Sequence, residues 1–230
     1  MRQHVNPLSS YFQAPLNLPK IGEIFENDKL PVHLDIGCAK GKFLFDMAVS
    51  DSSWNYLGVE IREKLIKNSQ SQIKKLGIKN LNILYCNANI SLDTWLSNIE
   101  IGQIRRVTIQ FPDPWFKRKH YKRRVLQPKL LCSIASSLLP GSELFIQTDV
   151  LPLMEYMTSI IEESKCFDRN MICWRENWLN QNPFLIETER ESIVKKEKKE
   201  IYRAMYFRNA NKCPEVSYLE KILINYESKI

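Results

Sequence analysis

One segment of this 230-residue chain carries residue types that suit chemistry better than packing: Phe111-Pro112-Asp113-Pro114-Trp115, followed by Lys117, Arg118, Lys119, Lys122, Arg123 and Arg124. Prolines on both sides of Asp113 fix φ and remove backbone donors, so the carboxylate is expected on a stiff loop outside regular structure. An acid beside a large aromatic ring, with cations close by, can hold a planar polar base over a reaction centre. The cations can grip a phosphate backbone at the same time. What reacts there depends on residues upstream.

Three upstream runs end in ways that suit a ligand. Leu34-Asp35-Ile36-Gly37-Cys38-Ala39-Lys40-Gly41 has glycines for a tight turn and for close approach to the backbone. Gly58-Val59-Glu60 ends in an acid apt for ribose hydroxyls, and Cys86-Asn87-Ala88 offers an amide to an adenine edge. The glycines do not have the GxGxxG spacing of a dinucleotide pyrophosphate site. Asp35, just before the turn, suits a cofactor without phosphate whose cationic amino-acid end needs an anion. S-Adenosylmethionine, with its ammonium, sulfonium, ribose and adenine, has that chemistry.

The elements needed to present these residues are legible. Val32 to Ile36, Trp54 to Glu60, Leu81 to Tyr85, Arg106 to Gln110 and Glu143 to Gln147 read as strands. Helical spacing of Phe43, Leu44, Met47 and Ala48, then Arg62 to Leu76, Ile90 to Leu96, Leu130 to Leu139 and Val150 to Glu163, alternates with them. Gly77 and Pro140-Gly141 are helix stops. The alternation predicts an α/β fold: a doubly wound, mostly parallel sheet with both faces covered. Ile201 to Phe207 and the region from Phe167 are expected to complete it with an antiparallel C-terminal edge. In such sheets ligands bind beyond the carboxyl ends of the strands, where all these motifs fall. A leader (residues 1–30, with a short helix at Ile21 to Phe25), a main domain (31–208) and a tail (209–230, helical over Val216 to Tyr226) are the expected divisions.

Composition narrows the partners. Lys plus Arg number 33 against 26 acids, a formal net charge of +7, which favours a polyanion. Six cysteines and three histidines show no CxxC and no ligand spacing, so no metal site is expected. Cysteines within apolar runs such as ILYC and LLCSIA behave as small buried hydrophobes and suggest a reducing compartment. No signal-peptide core or membrane-length apolar run occurs, so a cytoplasmic protein without membrane association is expected.

With LDIGCAKGKF, YLGVEIREK, CNA and FPDPWFKRKHYKRR in order, the chain resembles bacterial tRNA (guanine-N7)-methyltransferases, a family with a Rossmann-like methyltransferase sheet. The resemblance extends to the leader (Arg2, His4, Val5, Asn6, Pro7), to Gln147-Thr148-Asp149 and to Thr188-Glu189-Arg190-Glu191. It implies S-adenosylmethionine as cofactor, bound by Asp35, Gly37, Gly41, Glu60, Asn87 and Asp113, with Asp113 also the catalytic position. It implies that Lys117, Asp149, Thr188, Glu189, Arg190 and Glu191 meet the substrate guanosine or its backbone. The tRNA backbone falls to Arg118, Lys119, Lys122, Arg123 and Arg124, with Tyr121 or Trp115 available for stacking. A variable-loop guanosine is implied as the target, and no obligatory protein partner. Two residues depart from the family pattern. Ala39 replaces the middle glycine of GxGxG, and Asn87 stands where an aspartate is usual.

Guanine N7 has a free lone pair at neutral pH, so the transfer needs no general base, in keeping with the absence of an apt histidine near Asp113. Two rival readings fit some of these residues. An amino-methyltransferase of DNA or protein would use a short Asp/Asn-Pro-Pro-aromatic motif, of which Asp113-Pro114-Trp115 has one proline. A non-catalytic basic RNA-binding module on the same fold would explain Ala39 and Asn87. Lys195-Lys196-Glu197-Lys198-Lys199 reads as a solvated face that can add an RNA contact, and Trp174 and Trp178 read as packing residues.

Overall fold

The computed structural model describes residues 5–170, 174–175 and 178–229, without the side chains of 174, 175 and 225–229. Arg2, His4 and the Trp174 side chain, named above, lie outside the described residues. In chain order the strands are β1 (Val32–Ile36), β2 (Asn55–Glu60), β3 (Leu81–Tyr85), β4 (Ile104–Gln110), β5 (Glu143–Thr148), β6 (Phe167–Arg169), β7 (Trp174–Arg175), β8 (Trp178–Leu179) and β9 (Tyr202–Arg208). The helices are α1 (Ile21–Ile24), α2 (Lys42–Ser50), α3 (Glu63–Leu76), α4 (Ala88–Ser97), α5 (Pro128–Ser137), α6 (Leu151–Glu163), α7 (Glu189–Lys196) and α8 (Val216–Lys229).

Seven strands make one sheet in the order β3-β2-β1-β4-β5-β9-β6. β1 to β5 run parallel, and β9 and β6 close the edge antiparallel. Every residue of β1 and β2 is buried, the polar His33, Asp35, Asn55 and Glu60 included, as central strands covered on both faces require. On one face Leu92, Trp95, Leu130, Ile134, Met154 and Ile160 pack from α4, α5 and α6. On the other, Phe43, Leu44, Ile66 and Ile73 pack from α2 and α3. Strand order reverses between β1 and β4, so the crevice forms there.

Differences from the sequence reading have local causes. α4 starts two residues early because Asn87 caps it, its Oδ1 accepting from the Asn89 N–H at 3.2 Å. α5 opens on Pro128, which needs no helical donor at that position, and ends at Ser137 because Leu138 turns extended. The cationic run coils into a 3₁₀ helix over Arg118–Arg123. α7 follows the Thr188 cap, whose Oγ1 accepts from the Glu191 N–H at 3.0 Å. Among the described residues no helix is long and apolar enough to cross a membrane.

Candidate active site

A cleft of about 770 Å³, including its open mouth, lies beyond the carboxyl ends of β1, β2, β3 and β4. Gly37, Glu60, Asn87 and Asp113 line it, joined by Val5, Pro7, Arg62, Trp115 and Arg123. Four cofactor-side residues from distant segments therefore share one wall system. Gly37 has φ +85° and its N–H donates to the Val59 carbonyl at 2.8 Å. A Cβ there would meet nothing within 4 Å, so the turn leaves open space at the cleft. Gly41 differs: it lies off the cleft, and a Cβ would come within 2.2 Å of Ile83 Cδ1. Its part is close packing of the turn on β3. Ala39 adopts φ +53° between them, a left-handed conformation that costs a non-glycine residue roughly 1–2 kcal/mol.

Glu60 is held on every side. Ala39 N–H donates to Oε2 at 2.9 Å, Arg62 N–H to Oε1 at 3.0 Å, and the Arg62 guanidinium grips both oxygens at 2.9 Å. Arg62 is held charged first by its hydrogen bonds to Glu60, and the Asp113 charge adds to this. The fork fixes the Glu60 carboxylate toward the cleft in one rotamer. Sequence reading missed Arg62; its only signal was a cation two residues past a strand-end acid.

Asp35 is buried and does not itself line the cleft, though the next two residues, Ile36 and Gly37, do. Thr108 Oγ1 donates to its Oδ1 at 2.6 Å and Gln110 Nε2 at 3.4 Å. Burial pushes its carboxyl up to about 6, against the two hydrogen bonds and with a small push from Glu60. A folded-state value above the unfolded one means that stability is full below about pH 4 and is lost as pH rises through 6. Asp35→Asn is therefore expected to stabilise the chain by on the order of 2–3 kcal/mol at pH 7.5, and by nothing below pH 4. Urea unfolding at the two pH values checks this.

Asp113 stands outside regular structure, as its flanking prolines require. The loop is bracketed by two aromatics in left-handed conformation, Phe111 at φ +48° and Trp115 at φ +45°. Such strain in bulky residues persists only where the surroundings impose it. At the first bracket, Phe111 N–H donates to the Gln147 carbonyl at 2.7 Å. At the second, the Arg123 guanidinium lies 5.0 Å from the Trp115 ring and His120 meets that ring edge-on at 5.7 Å.

The cationic run divides. Lys117, Arg118, Lys119 and Lys122 are exposed and Arg123 half-buried, but Arg124 is only 3 % exposed. Its guanidinium lies 3.7 Å from the Tyr121 ring and 4.4 Å from that of Tyr156, and its Nε donates to the Pro114 carbonyl at 3.0 Å. The expectation that Arg124 grips tRNA is corrected: it pins the Asp113 loop from inside. Tyr121 is buried in the same stack and is not available to a base. Phe116, which the sequence reading passed over, is 70 % exposed instead.

On the far side of β5, Glu191 is also interior, at 0 % exposure. Arg203 Nη2 donates to its Oε1 at 2.8 Å, Asn182 Nδ2 to its Oε2 at 2.7 Å, and Gln147 Nε2 to Oε2 at 3.2 Å. A direct contact with substrate is corrected to a supporting one in this conformation. Asp149 pairs with Arg190, while Thr188 is half-buried and Glu189 exposed. Gln147 Nε2 also donates to Gln110 Oε1 at 2.8 Å, and Arg203 Nε to Gln147 Oε1 at 3.1 Å. A buried polar seam thus runs from His33 through Thr108, Asp35, Gln110 and Gln147 to Glu191 and Arg203. Arg203, a lone cation in the apolar run IYRAMYF, was its readable sign.

The family model described as "Putative methyltransferase" matches residues 29–204. A tRNA (guanine-N(7)-)-methyltransferase of Prochlorococcus marinus (strain NATL2A) is 50 % identical over 210 residues, 91 % of this chain and 98 % of the relative. Its counterpart in Parasynechococcus marenigrum (strain WH8102) is 48 % identical over 220 residues, 96 % of this chain and 93 % of the relative. The chain belongs to the tRNA (guanine-N7)-methyltransferase family. Among solved structures, the aminoglycoside resistance methyltransferase NpmB1 superposes with a TM-score of 0.54 at 16 % identity, covering 83 % of this chain and 94 % of that one. At that identity the likeness concerns the fold alone, and it agrees with the mostly parallel sheet found here. Family membership also makes this methyltransferase an enzyme, against the reading of an inert RNA-binding module.

Proposed function

We propose that this tRNA (guanine-N7)-methyltransferase moves the methyl group of S-adenosylmethionine to N7 of a guanosine in the variable loop of tRNA, over Asp113. The transfer itself, from S-adenosylmethionine to guanine N7 of tRNA, follows from the family; the variable loop is our reading. The observation that carries the site assignment is the position of Asp113, fixed on a strained loop at the wall shared with Gly37, Glu60 and Asn87.

The cleft residues fit the cofactor. Gly37 leaves room at the turn, Glu60 presents a fixed acid for ribose hydroxyls and Asn87 an amide oxygen for the adenine edge, while Asp35, next to the cleft residues Ile36 and Gly37, supplies an anion for the ammonium. The bound cofactor supplies an electrophilic methyl on a sulfonium. The chain's own residues do the rest. Asp113 orients the guanine and faces the positive charge that grows on the ring. Asp149, Arg190, Thr188 and Glu189, with Lys117, are assigned to the substrate guanosine or its backbone. Lys119, Lys122, Arg118 and Arg123 hold phosphates. We read residues 31–208 as the methyltransferase domain, since β9 ends the sheet at Arg208, with a leader before it and a helical tail after it. A cytoplasmic location without an obligatory protein partner fits this work.

Labelled methyl incorporation into unmodified tRNA, mapped by cleavage at 7-methylguanosine, is expected to give a single cut in the variable loop. A cut elsewhere would refute the position. Binding of tRNA is expected to weaken steeply with salt. Each phosphate contact removed by replacing Lys119 or Lys122 with alanine should lower the log–log salt slope by roughly 0.7–0.9. An unchanged slope would take that residue out of the interface.

A further inference from the structure

The leader is not a loose end, and one side chain holds it where it closes the cleft. Along α4, Asn87, Ser91 and Trp95 stand four residues apart and so share one face. Each bonds the leader. Asn87 Nδ2 donates to the Pro7 carbonyl at 3.0 Å and to the Phe12 carbonyl at 3.2 Å. Ser91 Oγ accepts from the Leu16 N–H at 3.2 Å, and Trp95 Nε1 donates to the Pro19 carbonyl at 2.8 Å. Gln13 Nε2 donates to the same Pro7 carbonyl at 2.7 Å, folding the segment into a loop. Prolines at 7, 15 and 19 bring no N–H of their own, and three of the four ties to this face run from side-chain donors to strap carbonyls, at Pro7, Phe12 and Pro19. Val5 and Pro7, at the end held by Asn87, line the cofactor cleft.

We propose that Asn87 is a positioning residue for cofactor capture, its amide NH₂ latching residues 5–12 as a wall of the S-adenosylmethionine cleft. The inference rests on the function proposed above and gives the position a second job beside the adenine edge. It explains why an amide stands here. A carboxylate has no hydrogen to give, so an aspartate would set an anion against two carbonyl oxygens. An asparagine divides its ends: the oxygen caps α4, and the nitrogen holds the strap. Because only a closed strap completes the wall, cofactor binding and strap closure must favour each other equally.

Asn87→Asp is the test, since aspartate is an equally good helix cap and keeps the acceptor for Asn89. The variant is expected to melt within a few degrees of wild type. Its dissociation constant for S-adenosylmethionine should rise roughly tenfold, as loss of two neutral hydrogen bonds implies. The KM for the cofactor should rise alike, with kcat at saturating cofactor unchanged. Chymotrypsin should cut it at Tyr11 or Phe12 in the absence of cofactor, and saturating cofactor should restore protection. Ser91→Ala, which frees the strap away from the cleft, should leave cofactor affinity as in wild type. Wild-type affinity in Asn87→Asp, or weakened affinity with the leader still protected, would overturn the latch. Should the wild-type chain bind no S-adenosylmethionine, the proposed cofactor site falls instead. Cleavage of the leader in Asn87→Asp would then still decide the latch.

Discussion

Asp113→Asn is expected to slow methyl transfer by about 10²-fold, with cofactor affinity changed by no more than a few-fold. The substitution keeps the size of the side chain and removes its charge. N7 attacks with a lone pair it already has, and no proton leaves it. The imidazole portion of the ring becomes cationic as the bond to carbon forms, so an anion held nearby lowers the barrier more than it lowers the ground state. The loop geometry ensures that the anion does not follow the charge after the fact. Phe111 and Trp115 hold left-handed backbone conformations at either end of it, and Arg124 ties Pro114 from below. Single-turnover rates with both substrates saturating make the comparison. A rate equal to wild type would reduce Asp113 to a loop-former and leave catalysis to alignment, which can supply about 7–11 kcal/mol.

Arg203→Met is expected to destabilise the fold by about 3–5 kcal/mol, the largest effect on stability foreseen here. Removing this guanidinium leaves the Glu191 carboxylate, wholly buried, with amide donors from Asn182 and Gln147 and the Lys195 ammonium at 3.5 Å. Lys195 is half-exposed, so water screens its pull and it compensates the interior charge less than the buried Arg203 does. The double variant Arg203→Met, Glu191→Gln should regain much of the loss, because no unpaired charge is then left inside. Urea titration of the two variants with wild type gives all the numbers needed. Equal loss in single and double variants would mean that the guanidinium acts through packing on β9 rather than by pairing.

How far the sequence spoke differs between scaffold and site. The parallel strands were legible as short segments rich in apolar residues and set between turn signals, and β1 and β3 have the bounds so read. The turn at Gly37 and the strand-end acid at Glu60 were legible because their chemistry is local. Arg124 was not. In a run of cations each looks alike, and only the fold of Arg118–Arg123 decides which one turns inward onto Tyr121 and Tyr156. Glu191 misled for a related reason. Thr-x-x-Glu can read as a substrate motif or as a helix start, and here the Thr188 cap is made while the glutamate reaches across to β9. Asn87 was readable as a cleft residue, but its donors serve a leader 75 to 80 residues away in sequence. No local pattern announces a partner at that separation.

The seam through Gln110 and Gln147 also limits how such enzymes can be recombined. Each glutamine is the last link of its own half: Gln110 closes the chain of bonds from Asp35, and Gln147 that from Glu191 and Arg203. Their single shared bond spans neighbouring parallel strands. A chimaera joined between β4 and β5 would import one partner without the other whenever the donor parents differ at either position. Hybrids of this enzyme with its relatives should therefore keep both amides or exchange both, and crossovers placed after β9, beyond the last residue of the seam, should be the ones that leave it whole.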